Sequence, residues 1–262
     1  MSELASEPAS TVTTGVPCSM DLLTSDTARA RDFYQRIFGW TAGDASPEFE
    51  GYFMFTAGGA PVAGCMPVLP GTDIADVWGT YLAASDAEAA LAAAVARGGT
   101  VRVPAVPVAD LGTQAVIEDP GGARIGIWQP GTFAGFGPVR TGKPGTPAWF
   151  ELHARDYAAS VAFYRDALGW APQVMSDTPE FRLTAVTDGR QPVAGIMDAS
   201  GYLPDGEGPR WDICVSVADT DKALALAVEL GGTVTREGTD TPFGRLGAAT
   251  DPMGAGFMVV SG

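Results

Sequence analysis

"RDFYQRIFGW" at residues 31–40 returns as "VAFYRDALGW" at 161–170, and the fold follows from how far this echo extends. Asp26 and Asp156, Phe33 and Phe163, Tyr34 and Tyr164, and the Gly-Trp pairs 39–40 and 169–170 all stand 130 residues apart. Further on, "PVAGCM" at 61–66 answers "PVAGIM" at 192–197, "GGTV" at 98–101 answers 231–234, and "DPGGA" at 119–123 answers "DPMGA" at 251–255. The offset drifts only to 133 over that stretch, as small loop insertions in a common fold would produce. The chain is a duplicated domain: a flexible polar tail over 1–14, a first domain over 15–128, a linker over 129–147 and a second domain over 148–262. The linker holds five glycines and four prolines, too broken for a helix or a central strand.

Within the first half, "VPCSMDLLT" has strand character, Asp26 is placed to cap a helix over 28–38, and Gly39 closes it. Short Gly- and aromatic-rich runs between 40 and 70 suit antiparallel strands, and "WGTYLAAS" reads as another strand. "DAEAALAAAVARGG" is a helix from the Asp86 cap to Gly98, and "AVIEDPGGARIGIWQP" is strand, turn and strand. Each half is thus two βαβββ modules, and the α+β chain holds four. "GGTVRVPAVPVADLG" and "GGTVTREGTDTPFGRLG" read as mobile rim loops.

Net charge −15, from 31 acidic and 16 basic residues with no Lys/Arg cluster, argues against nucleic acid and anionic membranes as partners. Three scattered cysteines argue for buried thiols in a reducing compartment. The polar N-terminus has no signal-peptide pattern, and no stretch approaches ~18 apolar residues. The expectation is a cytoplasmic protein, monomer or homodimer, whose partner is a small molecule.

The module count, the "FY…FGW" motif closing the first helix of each half and "DPGGARIGIW" in the last hairpin resemble the vicinal oxygen chelate superfamily, which includes glyoxalase I, extradiol dioxygenases and bleomycin-resistance proteins. The resemblance covers about 16–261. "WFELHARD" before "FYRDALGW" is similar to a tandem, glyoxalase-like actinobacterial branch. It implies two homologous cup-shaped domains, each a curved sheet around a cavity, and usually a divalent metal held by His and Glu. Carried over by position, those ligand sites fall at Ser19, Gly79, Gly126 and within 64–66 in the first half. In the second they fall at Trp149, Asp212, Met258 and within 195–197. Only Asp212 among them carries a plausible donor, and the chain has a single histidine, His153. Zinc and iron sites take several imidazoles or carboxylates converging on one point. Neither a metal nor any other cofactor is expected, and no "GxGxxG" or "GxxxxGK" stands in the right context for a nucleotide.

Strand alternation places Trp149, Glu151 and His153 on one face, with Ser19, Asp21 and Leu23 as counterparts. By the same parity Asp212, Cys214 and Ser216 line the second cup, with Met258, while Gly79, Tyr81 and Ala83 line the first. The second cup is expected to be the more polar and aromatic. Glu151 and His153 start roughly 6.5 to 7 Å apart, within reach of each other only if both lean together. Two functions fit. One is a metal-free protein of the bleomycin-resistance type that sequesters an apolar or aromatic metabolite or antibiotic of secondary metabolism. The other is a metal-independent isomerase, cyclase or lyase acting on a carbonyl or polyketide compound through Glu151 and His153.

Overall fold

The computed structural model describes residues 13–68, 75–136 and 141–262. The first half runs β1 (Pro17–Thr24), α1 (Thr27–Phe38), β2 (Thr41–Ala42), β3 (Phe53–Ala57) and β4 (Ala60–Pro67). It continues through β5 (Val77–Ala83), α2 (Ala87–Ala96), β6 (Thr100–Val108), β7 (Gly112–Glu118) and β8 (Arg124–Pro130). The second half repeats it: β9 (Pro147–Ala154), α3 (Tyr157–Leu168), β10 (Gln173–Asp177), β11 (Arg182–Thr187) and β12 (Pro192–Asp198). Then follow β13 (Arg210–Ser216), α4 (Thr220–Glu229), β14 (Thr233–Thr241), β15 (Gly244–Thr250) and β16 (Gly256–Ser261). All four helices among the described residues begin on an aspartate whose side chain accepts the N–H three residues on: Asp26, Asp86, Asp156 and Asp219. Gly39 and Gly169 end α1 and α3 in the left-handed region, at φ 70° and 74°.

Modules pair within each half. The first sheet has strand order β2-β3-β4-β1-β5-β8-β7-β6 and the second β10-β11-β12-β9-β13-β16-β15-β14, with β1 antiparallel to β5 and β9 antiparallel to β13 at the module junctions. Two segments expected to be rim loops are instead the edge strands β6 and β14, paired to β7 and β15. Pro104 and Pro107 are tolerated in β6 because an edge strand leaves one row of N–H groups without a ladder partner. Register shifts between Val101 and Val103 and between Val103 and Val106 take up the mismatch.

The repeated phrase has its reason in how the halves meet. Their helix-bearing faces join in one continuous core, α1 against α4 and α2 against α3, with β5 and β13 in direct approach. Tyr34 Oη donates to Asp251 Oδ2 at 3.0 Å across this junction, and Tyr164 Oη donates to Asp119 Oδ2 at 3.3 Å in the reciprocal direction. Trp78 and Trp211 donate their indole N–H to these same phenols, at 3.0 and 2.8 Å. Each aspartate is the one in the repeated Asp-Pro turn and also accepts two backbone N–H groups of that turn. The "FY" of each half is therefore a latch onto the "DP" of the other. Among the described residues no helix is long and apolar enough to cross a membrane.

Candidate functional site

With the helix-bearing faces spent on the shared core, each sheet keeps one helix-free face. In the first cup Asp21 on β1 lies between Gly64 on β4 and Gly79 on β5. Tyr52 Oη donates to Asp21 Oδ1 at 3.1 Å, and the Tyr81 hydroxyl also bonds this carboxylate. The glycines clear the space these phenols occupy: a Cβ at Gly64 would overlap the Tyr52 hydroxyl and Asp21 Oδ1, and one at Gly126 would overlap the Tyr81 ring. Ser19 is buried, paired across β1–β5 with Tyr81. At the other end Cys18, Ala83 and Trp128 pack with Tyr81, Leu111 and Phe133, and Trp128 Nε1 donates to Phe133 O. Phe136 N–H donates to Cys18 O at 2.7 Å, so the start of the linker is packed against this cup. The remainder of the linker at 137–140, like the tail at 1–12, lies outside the described residues. Aromatic side chains crowd the first cup; the expectation that the second would be the more aromatic is corrected, because Tyr52, Trp128 and Phe133 reach the first from separate segments.

Burial raises Asp21 to about 6, the phenol hydrogen bonds opposing the shift. A carboxyl with a raised folded-state value adds stability below its unfolded value near 3.8 and loses it as pH rises through about 6. Asp21→Asn retains an acceptor for Tyr52 and carries no charge. Its stability relative to the parent is expected to rise by up to ~3 kcal/mol between pH 4 and pH 7 in urea denaturation. A difference independent of pH would contradict this.

In the second cup a row of polar groups crosses β9 and β13. Trp149 Nε1 donates to Glu151 Oε2 at 3.0 Å, and Glu151 Oε1 lies 3.0 Å from His153 Nε2, so the two side chains do lean together. His153 Nδ1 is 3.2 Å from Asp212 Oδ2, which also pairs with Arg210 Nε at 3.3 Å. The His153–Asp212 approach is out of line for a hydrogen bond, which leaves Nδ1 buried and without a hydrogen-bond partner. Burial raises Asp212, with His153 and Arg210 opposing the shift. The Tyr202 ring stands edge-on to His153 at 5.7 Å, and Arg155 holds the segment behind it by donating to the carbonyls of Leu203, Pro204 and Glu207. Beyond Trp149 the face turns apolar: Cys214, Met258 and Ala248 pack together, and burial pushes the Cys214 thiol well above its ordinary value. Trp149 lies over Gly195, whose added Cβ would come within 2.7 Å of the indole.

Trp149, Glu151, His153 and Asp212 therefore form one connected row, with Cys214 and Met258 on the same face. Asp21, Ser19 and Tyr81 belong to the other cup. Arg210 is a site residue that alternation alone would have found, two positions before Asp212 on β13. Tyr52 and Tyr202 come from neighbouring segments with no periodic signal. The residues at the superfamily's ligand positions do not fit a metal: phenol rings take the space over Gly64 and Gly126, and a thioether stands at Met258. Glu151 and Asp212 flank opposite ring nitrogens of His153 and do not converge on one point. Among the described residues no group of three or more His, Cys, Asp or Glu could hold an ion. Outside the cups, a hollow of about 260 Å3 between the start of α2 and the end of α3 is mostly apolar, and its carboxylate, Asp86, is spent capping α2.

The chain matches the family model described as Glyoxalase/Bleomycin resistance protein/Dioxygenase superfamily over residues 17–127 and 146–259. It is 37% identical over 265 residues to the anthracycline biosynthesis protein DauV of Streptomyces sp. (strain C5), covering 94% of this chain and 93% of that one. The anthracycline biosynthesis protein DnrV of Streptomyces peucetius matches at the same identity and coverage. Among solved structures, the Mn(II)-bound glyoxalase from Novosphingobium aromaticivorans superposes with a TM-score of 0.63 at 17% identity, covering 95% of this chain and 83% of that one, a likeness of fold.

Proposed function

This chain belongs to the Glyoxalase/Bleomycin resistance protein/Dioxygenase superfamily, and we propose that it uses its second cup, without a metal ion, to bind a flat, oxygen-bearing aromatic molecule of the polyketide type. The ligand class rests on the two Streptomyces relatives, whose names place them in anthracycline biosynthesis, and on a floor that pairs an indole and a thioether with a polar row. One observation favours binding over turnover. His153 offers no nitrogen to a reacting atom: Nε2 is held by Glu151, and Nδ1 has no solvent-accessible surface. A general acid or base must come within hydrogen-bond reach of the proton it moves.

The 3.0 Å Glu151–His153 contact is what favours the second reading, a metal-independent isomerase, cyclase or lyase acting on a carbonyl or polyketide substrate. The two readings separate on incubating the protein with an anthracycline aglycone under excess chelator, following binding by calorimetry and chemistry by mass spectrometry. The binding reading expects saturable binding and recovery of the compound unchanged, with His153→Asn, which loosens the Glu151 carboxylate facing the ligand, shifting affinity about fivefold, the value of one hydrogen bond. Conversion slowed about 10² to 10⁴ by both His153→Asn and Glu151→Gln would establish the enzyme instead. Binding that appears only on adding a divalent metal would overturn both.

A further inference from the structure

Duplication gives every residue of the second cup a counterpart in the first, so a side chain unique to one cup marks what that cup does alone. On β13, Arg210 pairs across to His153; at the equivalent place on β5, Val77 pairs to Leu23. On β14, Arg236 pairs to Ala248; on β6, Val103 pairs to Val116. The second cup thus carries two arginines where the first carries two valines. Arg210 is committed to Glu207 and Asp212, at 3.1 and 3.3 Å. Arg236 is exposed and has no hydrogen bond or ion pair among the described residues, in a chain of net charge −15.

The register sets where Arg236 lies. Trp149 on β9 pairs with Cys214, Cys214 with Met258, Met258 with Ala248 and Ala248 with Arg236, one unbroken row across the helix-free face. At about 4.8 Å per strand, β14 is roughly 19 Å along the sheet from β9, room for a fused-ring molecule lying on the row between them. A guanidinium without a partner, on the edge strand of a cup with an aromatic floor, suits a group that accepts two hydrogen bonds and carries negative charge.

We propose that Arg236 is a specificity-determining anchor for a carboxylate on the aromatic ligand of the second cup, whose rings lie along the Trp149–Met258 row. A carboxylate is the group a planar guanidinium fork engages through two parallel hydrogen bonds. Anchored at the β14 rim, it leaves the opposite end of the ligand, with neutral hydroxyl or carbonyl groups, facing Glu151 and His153. The inference rests on the reading of the second cup as an aromatic-binding site.

Calorimetric titration with anthraquinone-2-carboxylate and anthraquinone-2-carboxamide tests it on the parent protein and on Arg236→Gln. The parent is expected to prefer the carboxylate by about tenfold at low salt, less as salt rises. Arg236→Gln is expected to abolish that preference while holding the carboxamide within about twofold, as loss of a rim charge contact should. Equal binding of both compounds by the parent, or a preference that survives in Arg236→Gln, would overturn the anchor and leave the aromatic site standing. Binding of neither compound would overturn the site and the anchor together.

Discussion

Replacing Tyr34 with alanine is expected to lower the unfolding free energy by about 3 to 5 kcal/mol through the cavity alone. A further ~1 to 3 kcal/mol is expected from the buried groups left unpaired. The side chain is fully buried among Phe38, Trp40, Phe55, Trp78 and Phe257, and its hydroxyl joins Trp78 Nε1 to Asp251 Oδ2. Two of those partners, Phe257 and Asp251, come from the second half, so the loss is felt on both sides of the junction. Urea denaturation followed by tryptophan fluorescence and far-ultraviolet circular dichroism is expected to show one transition for both halves, displaced as a whole. Tyr34→Phe separates the two terms, keeping the ring and removing only the hydroxyl. Two transitions, one of them unmoved by the substitution, would mean that the halves are stable independently and the latch is incidental.

Trp149→Ala is expected to weaken binding of an anthracycline aglycone by about 10- to 100-fold, the range for a buried aromatic anchor at the centre of a site. The indole does two things at once: its ring covers Gly195 at the floor, and its N–H holds Glu151 in place beside His153. Trp149→Phe is expected to recover part of the loss, the part due to the ring. Ser19→Ala, the equivalent change in the other cup, is expected to leave binding within about twofold, because Tyr52 and Tyr81 already occupy the space a ligand would need there. Equal sensitivity to the changes at 149 and 19 would show that both cups take ligand.

The asymmetry between the cups shows how far reading along the chain reaches. Duplication, the aspartate caps at Asp26 and Asp86 and the glycine end at Gly39 were legible because each depends on residues within a few positions of one another. Alternation was enough to put Trp149, Glu151 and His153 on one face, and to predict that Glu151 and His153 would meet only by leaning together. The same reasoning missed Tyr52, which reaches Asp21 from a neighbouring segment and fits only because Gly64 has no side chain. It also took β6 and β14 for loops, since their prolines and glycines signal a break unless the strand is known to lie at an edge, and edge position is a property of the whole sheet.

What the chain order alone determined, then, is four βαβββ modules in two copies, the faces their strands present, and the lack of a converging set of imidazoles for a metal. The tertiary structure alone decided that modules pair within halves, that Tyr34 and Tyr164 cross to aspartates 217 and 45 residues away, and that phenol rings crowd one cup while the other keeps a polar row. The physical reason is range. Caps and alternation are written in the torsions and side-chain directions of adjacent residues. Whether a cup has room for a ligand depends on side-chain volume delivered from other strands, and no pattern along any one strand records which glycine will face which ring.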